Sequence, residues 1–163
     1  MENVNAHEIE LYPPESFNTL LEHEINRSRR YGQPLTLIDV SVEADPSTPQ
    51  TQHSAEVFAI NVLNLQVRDT DIPCKKGSEF LLLLPSTDLQ GGRRACERLE
   101  KLFRVTHKTY DRVSFQLSAF IGMTSIDGTS PIPSKRLIEE ASAALQHART
   151  NRSESAVLYA EIT

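Results

Sequence analysis

The chain has 163 residues, 39% of them hydrophobic and 24% charged, with a formal net charge of −5 at pH 7. That length supports one domain with its own core, without help from a metal or disulfide. The acidic balance gives no general reason to expect a nucleic-acid backbone or anionic membrane as partner, and no apolar run approaches the about 20 residues needed for membrane insertion.

Residues 1–14 read as an extended lead-in closed by Pro13 and Pro14, and 15–163 as the domain. Met1 to Glu10 lacks the apolar centre of a signal peptide. A helix is predicted from about Glu15 to Tyr31, with Phe17, Leu20, Leu21 and Ile25 on one face. Arg27, Arg29 and Arg30 sit near its C-terminal end, where cations suit the macrodipole, and Gly32 stops it. Leu35 to Val42 reads as a strand with Leu37, Asp39 and Ser41 on one face and Ile38, Val40 and Val42 on the other. Ala44 to Gln52, rich in Pro, Ser and Thr, reads as a loop, and a second helix follows from about Ser54 to Val67 with Phe58, Val62 and Leu65 as its core stripe.

Arg68 to Pro85 is the centre of the pattern. A short strand, a turn at Gly77 and Ser78, and Glu79-Phe80 running into Leu81 to Leu84 make a hairpin with an exposed polar tip. Four leucines in a row, closed by Pro85, suit a central strand covered on both faces. A third helix spans about Asp88 to Arg104, with Leu89, Gly92, Cys96, Leu99 and Phe103 on one face; Gly91 and Gly92 signal close helix packing. Arg112 to Thr124 alternates as a strand. After the breaks at Asp127-Gly128 and Pro131-Ile132-Pro133, Ser134 is placed to cap a helix with the stripe Leu137, Ala141, Ala144, Leu145 and Ala148. Ala156 to Ile162 reads as a final strand. The order α-β-α-β-β-α-β-α-β predicts a mixed sheet with helices on its faces.

Few residues carry unusual chemistry. Cys74 and Cys96 lack metal-ligand spacing and are read as reduced thiols of a cytoplasmic protein. His7, His23, His53, His107 and His147 are dispersed, without metal spacing, and read as surface residues. Asp39, inside a strand, is either a site residue or a carboxylate reaching water or a cap near the strand's end. Arg68 and Asp71 are either a ligand-holding pair or an ordinary i,i+3 ion pair at a helix end.

Four blocks, RRYGQPLTLIDV, RDTDIPCKKGSEFLLLLPSTD, FQLSAFIGMTSIDG and LIEEASAALQHART, together resemble the GGDEF domains of bacterial diguanylate cyclases, in that family's order and near its spacing, from about Phe17 to Val157. The resemblance implies an α/β (α+β) palm like that of adenylyl cyclases: a central mixed, mostly antiparallel sheet flanked by helices. Active members of the family condense two GTP into cyclic di-GMP across a dimer. Here the signature turn departs: after Lys76 it reads Gly77, Ser78, Glu79, Phe80, and the most economical alignment removes one turn residue and puts Ser78 where the family has its metal-binding acid. Asp39 matches the first metal-binding aspartate, but the second is Ser41, and ADPSTPQTQHS offers no counterpart of the guanine-binding segment. In the last helix only Arg149 keeps the family's charge, and His53 falls near the family's guanine-binding aspartate only if the loop gap is placed to suit. A serine hydroxyl is a poor substitute for a carboxylate on Mg²⁺. The resemblance therefore implies no catalytic residues, a vestigial Asp39 without metal, and no cofactor.

The family's product-inhibition site, Arg-x-x-Asp ending five residues before the turn, matches Arg68-Asp69-Thr70-Asp71, with Ile72 to Lys76 in between. An arginine fork suits guanine O6 and N7, and a carboxylate accepts from N1–H and the exocyclic amine. The expectation is a receptor for cyclic di-GMP through Arg68 and Asp71, with Lys75 or a partner-chain arginine neutralising phosphate. The rival expectations are a homodimerisation or protein-partner module without nucleotide, and GTP binding without turnover.

Overall fold

The structure, a computed structural model, describes residues 11–104, 108–110 and 113–162. Most of the expected lead-in (1–10), His7, His107, Arg112 and Thr163 lie outside the described residues. In chain order the elements are α1 (Pro14–Tyr31), β1 (Leu35–Asp45), α2 (Pro49–Gln66), β2 (Ile72–Lys76), β3 (Glu79–Pro85), α3 (Leu89–Phe103), β4 (Lys108–Tyr110), β5 (Val113–Ile126), α4 (Ser134–Thr150) and β6 (Val157–Leu158), followed by a 3-10 turn over Tyr159–Glu161. The sheet runs β2-β3-β1-β5-β4 with antiparallel neighbours, and β6 pairs with β5 in parallel. This is the mixed, mostly antiparallel sheet expected of the palm.

The period-two pattern of β1 and β3 decides how the sheet is covered. Ile38, Val40 and Val42, with Phe80, Leu82 and Leu84, face a core shared with α2 and α3. Leu35 and Leu37, with Leu81 and Leu83, face a second core built with Phe17, Leu21 and Ile25 of α1 and Leu137 and Ala141 of α4. Leu81 to Leu84 are each no more than 2% exposed, so the four-leucine run serves both layers at once. At about 1.5–3 kcal/mol for each fully buried side chain, this strand is a main hydrophobic anchor of the fold.

Several local expectations are corrected. Helix α2 begins at Pro49 and not near Ser54, because Thr48 and Thr51 form a reciprocal capping box: Thr51 N donates to Thr48 Oγ1 (3.1 Å) and Thr48 N to Thr51 Oγ1 (2.9 Å). Its inward face is Ala55, Ala59, Val62 and Leu63, which leaves Leu65 73% exposed, outside the core stripe it was assigned. Leu89, in the first turn of α3, is likewise 40% exposed. Ser134 is not a cap: it lies in the first turn of α4, Pro133 holds the cap position, and the Ser134 hydroxyl donates to Glu22 Oε1 at 3.4 Å. Strand β1 runs three residues past Val42, β4 is an addition, and the expected last strand shortens to two residues before the 3-10 turn. Gly92 packs as expected: a Cβ there would lie 2.7 Å from Met123 Sδ and 2.9 Å from Thr36 Cγ2.

Candidate functional site

Where α2 ends, the chain turns over Arg68 to Asp71, closed by the Asp71 N–H donating to the Arg68 carbonyl at 3.0 Å. The Asp71 carboxylate accepts three hydrogen bonds from Arg68: from the backbone N (3.0 Å) and Nε (3.3 Å) on Oδ2, and from Nη2 (3.1 Å) on Oδ1. Arg68 Nη2 also donates to Thr87 Oγ1 at 3.0 Å, tying the turn to the β3–α3 connection. The Asp71 side chain is 2% exposed and that of Arg68 is 58% exposed, so the buried carboxylate holds a guanidinium that faces solvent. Charge-assisted bonds of this forked kind fix orientation as well as adding energy.

The pair opens onto a cavity of about 130 Å³ whose other walls include Leu82, Leu84, Gln66, Arg94 and Arg98. Arg94 and Arg98 are four residues apart on α3 and share a face, and Arg98 Nε donates to Gln66 Oε1 at 3.0 Å. Three arginines against one carboxylate give the cavity an excess of positive charge suited to an anion. The sequence reading did not single out Arg94 and Arg98; their i,i+4 spacing was the available signal, but only the docking of α3 beside Arg68 joins them to it. Lys75 is placed elsewhere. It lies towards the other end of β2, pairs with Glu56 at 3.3 Å, sits 5.9 Å from the Phe80 ring centroid, and does not line the cavity.

The hairpin tip forms a second polar region. Lys76 and Glu79 close the turn, Gly77 adopts φ +60, a conformation glycine takes without the steric cost other residues meet, and Ser78 is exposed. Asp39, paired across the sheet with Leu81 and Gly122, is 1% exposed, and its Oδ1 has no hydrogen-bond partner. Burial, and then the neighbouring Glu79 carboxylate, which also hydrogen-bonds to it, push the Asp39 carboxyl up to about 8, with Lys76 opposing. Ser41, two residues along the same face and 5% exposed, also has an unpartnered hydroxyl oxygen. At neutral pH Asp39 is therefore mostly protonated, and the adjacent positions supply hydroxyls. Among the described residues no group of three or more His, Cys, Asp or Glu is placed to hold a metal ion. Phosphoryl-transfer chemistry on a divalent cation rests on ionised carboxylates, and the carboxylates that meet here are Asp39 and Glu79.

The remaining positions have internal partners or face solvent. Arg149 and Arg152 converge on Glu43 at 3.7 and 2.7 Å. His53 is exposed on α2, and Thr51 at the start of that helix is used in its own cap. Cys74 and Cys96 are buried free thiols, pushed up by burial to about 11 and about 12.

A family model described as the diguanylate cyclase GGDEF domain matches residues 57–155. No curated protein matches the chain in sequence. The fold is shared with the diguanylate cyclase SiaD of Pseudomonas aeruginosa, solved with its activator SiaC, at 24% identity and TM-score 0.79 over 91% of this chain and 58% of that one. This chain thus spans little more than half of the SiaD chain. It is also shared with the GGDEF domain of DgcB from Caulobacter crescentus, solved with c-di-GMP, at 13% identity and TM-score 0.78 over 98% and 96% of the two chains. An active GGEEF domain of a Vibrio cholerae diguanylate cyclase matches at 16% identity and TM-score 0.77, over 92% and 98%. With the sheet order, the hairpin and a family match across more than half its length, this chain belongs to the GGDEF domain family, the family of the diguanylate cyclases.

Proposed function

We propose that residues 15–163 form a catalytically silent GGDEF domain that works in the cytoplasm as a receptor for cyclic di-GMP through Arg68 and Asp71. The observation that carries this reading is the buried Asp71 carboxylate holding a half-exposed Arg68 guanidinium at the mouth of a cavity that Arg94 and Arg98 also line. Guanine presents O6 and N7 to an arginine fork and N1–H with its amine to a carboxylate, so both members of the pair have a partner on one base. In the bound state Arg68 turns from Asp71 towards the base edge, and the freed carboxylate oxygens accept from guanine. Arg94 and Arg98 neutralise phosphate; Lys75, engaged with Glu56, has no part in this contact set. DgcB, which shares the fold, was solved with this ligand.

The residues of the hairpin tip support the reading of catalytic silence. Ser78 and Ser41 offer hydroxyls where carboxylates are needed, and Asp39 is held protonated beside Glu79. Calorimetric titration with cyclic di-GMP and with GTP in one series tests the reading. Cyclic di-GMP is expected to bind on the μM scale, and incubation with GTP and Mg²⁺ or Mn²⁺ to yield no product. Absence of binding at about 100 μM ligand would replace the receptor by an interaction module. Sustained synthesis abolished by Asp39→Ala would restore the enzyme.

A further inference from the structure

Between the N-terminal ends of α3 and α4 lies a groove of about 680 Å³ that shares no lining residue with the Arg68 cavity. Ile126, Ile132 and Leu158 give it an apolar lining, Leu89 stands on one side, and Glu140 of α4 on the other. Leu89 belongs to the apolar stripe of α3 yet is 40% exposed, so the fold leaves an apolar lip uncovered here.

Glu140 carries the second observation. The residue is only half-buried, but its Oε2 is shielded from solvent and has no hydrogen-bond partner. A buried oxygen without a donor is destabilising until a donor reaches it. The charge around it is lopsided. Asp88, which caps Gly91 N at 2.8 Å, and Asp127, held low by the Thr129 hydroxyl and N–H, join Glu140, against Arg136 as the single cation among the described lining residues.

We infer that this groove docks a segment of a partner protein that presents an arginine or lysine between leucine-like side chains, the cation meeting Glu140 Oε2 and the apolar groups lying on Ile126, Ile132 and Leu158. The cation satisfies the orphan oxygen by a charge-assisted bond, and the apolar flanks cover Leu89.

The test is fluorescence anisotropy with a labelled peptide of alternating leucine and arginine, and a second peptide with glutamine in place of arginine. No nucleotide is present, so the outcome is independent of the receptor reading. The arginine peptide is expected to bind, and the glutamine peptide to bind far more weakly. Glu140→Gln should weaken the arginine peptide roughly tenfold, the scale of a lost hydrogen bond to a charged group. Leu89→Ser, at an exposed site that leaves the fold intact, should weaken both peptides. Glu97→Gln, on the exposed face of α3, should leave binding unchanged. Equal affinity for the two peptides, or equal losses in Glu97→Gln and Glu140→Gln, would reduce the effect to general surface charge and overturn the proposal. Concentration-dependent self-association abolished by Leu89→Ser in sedimentation would also overturn it, by assigning the groove to a second copy.

Discussion

Strand β2 has a polar site at each end, and the two treat a buried aspartate in opposite ways. At its start, Asp71 (7% exposed) faces a guanidinium, and its oxygens accept three hydrogen bonds from Arg68. Beside its far end, Asp39 (1% exposed) faces another carboxylate, and one of its oxygens has no partner. Burial, and then the Glu79 carboxylate, favour the neutral form of Asp39, where Asp71 has a counter-ion. The satisfied site holds its own geometry, with the Arg68 guanidinium paired to Asp71 and still half exposed. The unsatisfied one sets two carboxylates, Asp39 and Glu79, beside each other with Lys76 nearby.

The largest effect expected from breaking this contrast is in the pH dependence of stability. The folded Asp39 carboxyl lies near 8 against 3.8 for the ordinary group, so folding takes up a proton between those values. Its contribution to stability is fully present below about pH 4 and is lost as the pH rises towards 8, by at most about 1.4 kcal/mol per pH unit. In Asp39→Asn that slope should flatten, and above pH 8 the variant should be the more stable protein, as read from urea midpoints at pH 5, 7 and 8.5. Parallel pH profiles for variant and parent would mean that Asp39 is not held protonated.

Next in size is Arg68→Ala. A good bidentate base contact is worth about 1–3 kcal/mol, so affinity for cyclic di-GMP should fall roughly tenfold or more, and the residual binding should depend less on salt. An unchanged Kd would detach the pair from the ligand. Asp71→Asn should act more on selectivity than on affinity. It exchanges one acceptor oxygen for a donor amide, so competition between cyclic di-GMP and cyclic di-AMP should narrow, with affinity down several-fold because Arg68 also loses part of its support. Ser78→Ala, at the exposed tip, marks the small end of the series: binding and stability should both stay within about 0.5 kcal/mol of the parent. A large loss there would give the tip a role that its chemistry does not suggest.

Much of this contrast was legible in the sequence because it is local. Arg68 and Asp71 are three residues apart, so a turn suffices to join them, and Gly77 marks the hairpin whatever surrounds it. Arg94 and Arg98 lay plainly on one helical face, but nothing local says that this face meets the end of α2. The upward push on Asp39 comes from its burial and then from Glu79, forty residues later, on the neighbouring strand. Leu65 and Leu89 show the same limit from the apolar side: periodicity defines a stripe, but how far the neighbouring layer extends decides which of its residues are covered.

By itself, then, the sequence determined the pattern: strands that alternate, a leucine run that demands cover on both faces, helices with apolar stripes, and an Arg-x-x-Asp turn before a hairpin. These follow from interactions between near neighbours, whose geometry the backbone repeats of helix and strand already prescribe. Only the tertiary structure decided which charges meet. It brought three arginines around Asp71 and a second carboxylate to Asp39, and it left Glu140 Oε2 without a donor beside an uncovered Leu89. The electrostatic character of a site depends on the distances and burial of groups remote in sequence, and packing alone sets those.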